Sequence, residues 1–147
     1  ADHNKIWQAR KAFAEAVRAE SLIVSKEDVV VPVDQEPLLL DEILRLAKKY
    51  NLITRIASHA GDGNLHPTFL CDKRDKEEFA RVEAAVDEMF DVAISLHGTL
   101  SGEHGIGTAK SKWMEKETSR GTILFSQRLR RALDPKGLLN PTKLVGI

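Results

Sequence analysis

The spacing of apolar positions along the chain predicts four helices. Apolar residues recur at helical intervals over about residues 4–20, in an alanine-rich stretch, and over residues 34–50, where Pro37 occupies the expected first turn. A third apolar stripe over residues 75–94 predicts a long helix that faces the core, and residues 118–133 predict the fourth helix. The inner face of this last helix is expected to contain Ile123, Leu124, Gln127, Leu129 and Leu133.

The segments between these helices predict strands. Residues 28–33 are a β-branched run with a proline near its end, which fits an edge or terminal strand position. Residues 54–58 and 65–71 flank Asp62-Gly63, a pair that favours a tight hairpin turn. The order of helix, strand, helix, hairpin and helix predicts an α+β fold, with an antiparallel or mixed sheet covered by helices on one face.

Four of the five histidines lie in two short glycine-rich segments, residues 59–66 and 97–107. A hairpin turn centred on Asp62-Gly63 would place His59 directly opposite His66, with both imidazoles on one face of the ribbon. Two ring nitrogens could then converge on one ion. The clustering therefore predicts a metal-centred acid/base site.

A third or fourth ligand has to come from elsewhere in the chain, and Glu103 or His104 in the second segment is the expected source. Two imidazoles and a carboxylate form a ligand set suited to zinc or manganese, with an open position for water or substrate. Asp62 is a weaker candidate, because the turn already explains an Asp there. A single histidine beside a glycine turn is usually structural, so the metal interpretation depends on the pair together with Glu103 and His104.

Composition limits the size, partners and compartment of the protein. The chain has 147 residues, enough for one domain with its own core. Lys+Arg and Asp+Glu number 22 each, which argues against a nucleic-acid partner. The single cysteine, Cys71, excludes an intrachain disulfide and fits a reducing compartment. Since no apolar run is long enough to span a bilayer, we expect a cytoplasmic protein that reaches the inner face of a membrane only through partners.

Residues 102–107 read Gly-Glu-His-Gly-Ile-Gly and superficially look like a phosphate-binding loop. The order of the glycines differs from the dinucleotide fingerprint, and no clear strand precedes them, so we reject a Rossmann interpretation. Gly102 and Gly105 are instead expected to let the backbone turn sharply around Glu103 and His104. One of these side chains could then bind metal while the other faces substrate.

Three ordered motifs carry a resemblance to a known family. They are His-Ala-Gly-Asp-Gly-Asn-Leu-His-Pro over residues 59–67, Thr-Leu-Ser-Gly-Glu-His-Gly-Ile-Gly over 99–107 followed by Lys110, and Asp-Pro-Lys-Gly-Leu-Leu-Asn-Pro over 134–141. Together they resemble the C-terminal domain of FAD-linked 2-hydroxy acid dehydrogenases of the vanillyl-alcohol oxidase type. That group acts on glycolate, D-lactate and D-2-hydroxyglutarate, and the resemblance covers essentially the whole chain, residues 1–147.

The resemblance implies roles for the clustered side chains. In the metal-dependent members, the residues that match His59, His66 and Glu103 hold a divalent ion, usually zinc or manganese. The residue that matches His104 is the general base near the flavin.

The resemblance also implies substrate and cofactor contacts outside the cluster. Arg10, in a Trp-x-x-Arg stretch, and Lys26 match residues that bind the substrate carboxylate. Asn140 falls in a C-terminal element that lies near the flavin. FAD in this family is held mainly by a preceding domain, so the chain is expected to be a fragment that lacks this FAD-binding domain.

Four positions depart from the family pattern. His97 and Thr142 stand where many members have glycine, so the local backbone is expected to differ. Thr68 stands where the hydroxyglutarate enzymes have a substrate-binding asparagine, and Ala14 stands where they have a threonine that helps bind substrate. Both differences favour a smaller acid, similar to glycolate or D-lactate.

The function expected from this resemblance is oxidation of a small D-2-hydroxy acid to a 2-oxo acid, with hydride transfer to FAD in the full-length protein. The isolated fragment is expected to be inactive, and an iron–sulfur subunit is a further expected partner. Two alternatives remain open at this point. One is a flavin-independent hydrolase or lyase that uses metal-bound water, and the other is a structural module that binds neither ion nor flavin.

Overall fold

The sheet is built around one central strand, β4. The structure is a computed structural model and describes residues 2–20, 24–72 and 74–143. The strands are β1 (Val24–Lys26), β2 (Val29–Val30), β3 (Ile53–His59) and β4 (Asn64–Leu70). The helices are α1 (Asp2–Glu20), α2 (Glu36–Lys49), α3 (Lys76–Ser95), α4 (Met114–Glu117) and α5 (Arg120–Leu133). Since β4 pairs antiparallel with each of the other strands, the expected α+β fold with an antiparallel sheet is confirmed.

The strand predicted over residues 28–33 is wrong in its bounds. Only β2, at Val29 and Val30, lies within these bounds; β1 comes before them, and Glu27 and Asp28 lie between the two strands. A 3-10 turn begins at Val33 and leads into α2. Val29 and Val31 are buried, whereas Val33 is exposed, so the run is part of the core only in its first half.

The pairing of β1 and β2 with β4 follows one continuous register. The cross-strand partners are Lys26 with Thr68 in β1 and Val29 with Leu65 in β2. This register places Asp28 opposite His66, and the backbone N–H of Glu27 donates to the carbonyl of Pro67 at 2.9 Å. Residues that oppose each other across a strand pair project to the same face. Asp28 and His66 are therefore neighbours on the sheet.

Side chains of β4 alternate between the core and the opposite face. Leu65 and Phe69 face α2 and α3 and are almost completely buried. The helical part of this core includes Leu39, Ile43, Leu46, Val82, Val86, Met89 and Phe90. On the opposite face, α1 buries Val17, and Arg55 of β3 donates to Glu20 at the end of α1 at 2.9 Å. Helix α1 thus lies against part of the second face, in addition to the helices on one face that the sequence predicted.

Helix α5 forms where it was predicted, but its expected inner face is not buried. Leu124, Leu129 and Leu133 are 43%, 49% and 75% exposed, and α5 has no buried residue within the part of the chain that the structure describes. Periodicity predicts which side chains share a face, but not what packs against it. No helix in the described ranges combines the length and the apolar composition that a membrane-spanning segment requires.

Helix α3 ends in a hydrogen-bonded reversal that leads directly into the glycine-rich loop of residues 98–107. The N–H of His97 donates to Ile94 at 3.0 Å, and the N–H of Gly98 donates to Ala93 at 2.8 Å, which is the Schellman pattern. His97 adopts the left-handed conformation that this motif requires, with φ at +62°. Glycine is the usual residue at this position because it has no Cβ.

We expect His97→Gly to stabilise the domain by about 1 kcal/mol, since a left-handed conformation costs a non-glycine residue roughly 1–2 kcal/mol and glycine loses part of that gain through its freer unfolded chain. Urea unfolding followed by circular dichroism measures the change. His97→Ala is the matched control, because alanine keeps a Cβ and should bring no such gain. Equal or lower stability of the glycine variant would contradict the expectation.

Candidate functional site

The clustered residues line one cleft between α1, the sheet and the glycine-rich loop. Its volume is about 230 Å³. The lining residues are Arg10, Phe13 and Val17 of α1, Lys26, Glu27, Ala57, His59, His66 and Thr68 of the sheet region, and Glu103 and His104 of the loop. Segments that are distant in sequence therefore meet at one place. The residues predicted to bind a metal and those predicted to bind the substrate both line this cleft.

The hairpin that presents His59 and His66 has a different register from the one predicted. His59 lies opposite Asn64, and His66 lies opposite Ala57, so the two histidines are diagonal neighbours rather than a facing pair. The reason is a longer turn, in which residues 60–63 connect the strands. Side chains of a strand alternate with a period of two, so this shift of two positions leaves both imidazoles on the same face.

Three imidazole nitrogens surround one carboxylate oxygen, Glu103 Oε1. The distances to this oxygen are 3.0 Å from His66 Nε2, 3.6 Å from His59 Nε2 and 3.7 Å from His104 Nε2. The rings of His59 and His66 meet edge to face with centroids 5.2 Å apart, and His66 stacks on His104 at 5.1 Å. The side chain of His66 is the most buried of the three, at 17% exposure, whereas His104 is half exposed.

Two groups of side chains in the described ranges have donor atoms within 4.8 Å of one another. One group is His59, His66 and Glu103, and the other is Asp28, His66 and His104. All members of the first group line the cleft, whereas Asp28 of the second is fully buried beneath it. The fold therefore brings together the three ligands expected from sequence. Asp28, which was not expected here, lies directly beneath them.

Asp28 holds the glycine-rich loop in place. Its Oδ2 accepts hydrogen bonds from the hydroxyl of Ser101 at 2.6 Å and from the backbone N–H groups of Gly102, Glu103 and His104 at 3.0, 3.1 and 2.8 Å. Burial alone raises the pKa of Asp28, but these hydrogen bonds and the charge of Lys110 outweigh it and lower the pKa to about 2. The carboxylate is therefore charged, and the loop folds around it.

Lys110 anchors the loop to the sheet from beneath. Its ammonium donates to the carbonyls of Asp28 at 2.6 Å and Leu100 at 2.7 Å, and it lies 3.9 Å from Asp28 Oδ2. Burial lowers the pKa of Lys110, against the opposing effect of the Asp28 charge. Since a buried lysine needs such partners, Lys110 has a structural role below the cleft and does not line it.

The two glycines expected to shape this loop act in different ways. Gly105 has φ at +76°, so it provides the sharp turn that was predicted. Gly102 instead allows close packing, since a Cβ there would lie 2.4 Å from Val30 Cγ2 and 2.7 Å from Asn64 Nδ2. Asp62, the weaker ligand candidate, caps its own turn by accepting from the N–H of Asn64 at 3.1 Å.

The two cations expected to bind a carboxylate lie at the side of the cleft. Arg10 projects from α1, and Lys26 is at the end of β1 opposite Thr68, on the face that carries His66. Both side chains are exposed. Asn140 lies elsewhere, in a hollow between α5 and the C-terminal segment that Gly107 also lines.

The departures from the expected glycines coincide with left-handed backbone. Thr142, like His97, has positive φ, at +65°. A β-branched residue is rare in this conformation. Both positions therefore have the left-handed backbone that glycine favours, although His97 and Thr142 occupy them.

Sequence reasoning missed Asp28 as a site residue. The available signal was a pair of acidic residues, Glu27 and Asp28, directly before three valines in an otherwise apolar run. A charged side chain in such a run has to find partners when the run is buried.

Comparisons with known proteins agree with the resemblance in the motifs. The chain matches the family described as FAD linked oxidases, C-terminal domain, over residues 1–144. It is 38% identical to the glycolate oxidase subunit GlcD of Bacillus subtilis, over 95% of this chain and 30% of that protein. The corresponding figures for GlcD of Escherichia coli K12 are 36%, 97% and 29%, and for a mitochondrial D-lactate dehydrogenase (cytochrome) of Arabidopsis thaliana 32%, 96% and 25%.

These matches do not favour a flavin-independent hydrolase or lyase. The chain spans less than a third of the length of each of these relatives. The family match nevertheless covers almost the whole chain, including every residue of the cleft. The chain therefore belongs to the family of FAD linked oxidases, C-terminal domain.

Proposed function

We propose that this chain is the substrate-binding domain of a larger flavoprotein that oxidises a small D-2-hydroxy acid, similar to glycolate or D-lactate, to a 2-oxo acid. The observation that carries the proposal is the convergence of two cations, three imidazoles and the carboxylate of Glu103 on one cleft of about 230 Å³. Sites for drug-sized ligands have volumes of roughly 300–1,000 Å³, so this cleft suits a smaller molecule. The names of the relatives point to the same substrate class.

The donor atoms in the cleft fit a divalent ion such as zinc or manganese. Ligand atoms about 2.1 Å from a tetrahedral ion lie about 3.4 Å from one another. The distances from Glu103 Oε1 to His66 Nε2 and His59 Nε2, 3.0 and 3.6 Å, lie on either side of that value. His59, His66 and Glu103 would hold the ion, which as a Lewis acid would polarise the 2-hydroxyl of the substrate.

The cations supply the recognition of an acid. Arg10 and Lys26 reach the cleft from two different elements, α1 and β1, so they can bind the substrate carboxylate from two sides. This arrangement orients the 2-hydroxyl toward the histidines. A second substrate carboxylate would need a further polar partner, and Thr68 at this face is small and 5% exposed.

His104 is the base in this proposal. Oxidation of the hydroxy acid removes a proton from oxygen and a hydride from Cα, and FAD, when bound, accepts the hydride. His104 lies at the mouth of the cleft, stacked on His66 and half exposed. It can therefore take the hydroxyl proton and release it to solvent.

The proposed partners follow from the length of the relatives. The chain covers 25–30% of the three relatives described above, so we propose that a preceding FAD-binding domain belongs to the same parent chain. Asn140 would lie near the flavin at the junction. An iron–sulfur subunit, and contact with the inner face of a membrane through such partners, are further parts of this proposal.

The ligand set can be tested by titrating the chain with Zn²⁺ or Mn²⁺ in a calorimeter. We expect one ion per chain, and we expect His66→Ala and Glu103→Gln each to weaken binding by more than about 100-fold, the upper range for outer-shell changes. His97→Ala removes a histidine outside the cleft and should bind as the unchanged chain does. Equal binding by all four proteins would reject this ligand set.

The base can be tested in the parent flavoprotein by anaerobic stopped-flow measurement of flavin reduction. His104→Ala should reduce the flavin about 10²- to 10⁴-fold more slowly, the usual contribution of a positioned base. Its metal content should remain unchanged. Flavin reduction at the normal rate in this variant would remove His104 from the mechanism.

A further inference from the structure

Two buried polar atoms face each other beneath the cleft. Asp28 Oδ1 and His66 Nδ1 are 3.9 Å apart, and within the described ranges neither has a hydrogen-bond partner. Buried polar atoms nearly always have a hydrogen-bond partner, so two buried atoms that face each other without one require an explanation. A shift of about 1 Å would bring them to normal hydrogen-bond distance.

The surroundings of Asp28 determine which atom has to donate. Its other oxygen, Oδ2, is occupied by one hydroxyl and three backbone N–H donors, so the carboxylate cannot rotate without losing them. A charged carboxylate only accepts hydrogen bonds. A hydrogen bond between Oδ1 and the ring therefore needs its proton on His66 Nδ1.

The register of the strands makes this contact a built feature. Asp28 is opposite His66 across the pairing of β1 and β2 with β4, so the two side chains share one face. On the far side of the ring, His66 Nε2 points to Glu103 Oε1 at 3.0 Å. One imidazole thus connects a buried carboxylate to the donor cluster in the cleft.

From this geometry we infer that Asp28 is a positioning residue for the cleft. It accepts the Nδ1–H of His66, so that Nε2, which faces Glu103 Oε1 at 3.0 Å, is the ring nitrogen left to exchange its proton for an ion, while Oδ2 holds the loop that carries Glu103 and His104. Histidines that bind metals commonly donate their second ring N–H to a carboxylate in this way. The inference rests on the proposed function for the role of the ion, but the orientation of His66 is independent of it.

Asp28→Asn separates the two tasks of the carboxylate. The four donors around Oδ2 require the amide oxygen there, which places the amide NH₂ against His66 Nδ1. Two donors cannot face each other, so Nδ1 has to lose its proton and Nε2 has to carry one. The loop should stay in place, but Nε2 should no longer offer its lone pair.

The matched control is Glu117→Gln. Glu117 also anchors the loop, since it accepts from the N–H of Leu100 at 2.8 Å. The substitution Glu117→Gln also removes one negative charge near Lys110, as Asp28→Asn does. It does not face a histidine, so Glu117→Gln should leave both His66 and metal binding unchanged.

The experiment measures ¹⁵N chemical shifts of the His66 ring by long-range ¹H–¹⁵N NMR on the 147-residue chain at about pH 8.5, where free imidazole is neutral. We expect a proton on Nδ1 in the unchanged chain and in Glu117→Gln, and none on Nδ1 in Asp28→Asn. A proton confined to Nε2 in the unchanged chain would overturn the inference, and this spectrum decides even if Asp28→Asn does not fold.

Zinc titration of the same proteins is the second readout. Asp28→Asn should bind Zn²⁺ roughly 10- to 100-fold more weakly than the unchanged chain, and Glu117→Gln equally well. Normal Zn²⁺ binding by Asp28→Asn would overturn the inference. A Zn²⁺-induced change in the ¹⁵N shift of His66 Nδ1 instead of Nε2 would also overturn it, because Asp28 would then be a metal ligand. If the unchanged chain binds no zinc but carries the Nδ1 proton, the metal part of the proposed function fails and the positioning of His66 stands.

Discussion

The buried carboxylate of Asp28 is the interaction on which the geometry of the cleft depends. One of its oxygens gathers a hydroxyl and three successive backbone N–H groups, which gives the loop after α3 its shape. The cost of burying this charge is offset by these four hydrogen bonds and by Lys110 beneath them. Glu103 and His104 reach the histidines of the hairpin because Asp28 holds their backbone N–H groups, while Lys110 and Glu117 hold the loop at Leu100.

Much of the fold could be predicted from the chain because its elements have strong local signals. The helical stripes are long, and the Asp62-Gly63 pair lies in the turn between β3 and β4, as expected. The predicted cross-strand register of the hairpin was wrong by two positions, but the prediction that His59 and His66 lie close together was still correct. Side chains alternate along a strand, so an even shift keeps His59 and His66 on one face, whereas a shift of one would have separated them.

The remaining features depend on contacts between distant segments, which periodicity does not report. The role of Asp28 requires a loop more than 70 positions away in the chain to fold over it. Similarly, the apolar stripe of α5 predicted a buried face, but nothing in the described part of the chain buries it. Resemblance added a different kind of information: His97 and Thr142 replace expected glycines, and both have left-handed backbone.

In the proposed site, His59, His66 and Glu103 hold a single ion. Anomalous diffraction from a crystal of the chain grown with Mn²⁺ tests this most directly. The expected result is one anomalous peak about 2.0–2.3 Å from His59 Nε2, His66 Nε2 and Glu103 Oε1, with Asp28 outside the ligand shell. A peak coordinated by Asp28 and His66 Nδ1 would contradict this expectation. So would the absence of any peak in the cleft of crystals grown at a saturating concentration of Mn²⁺.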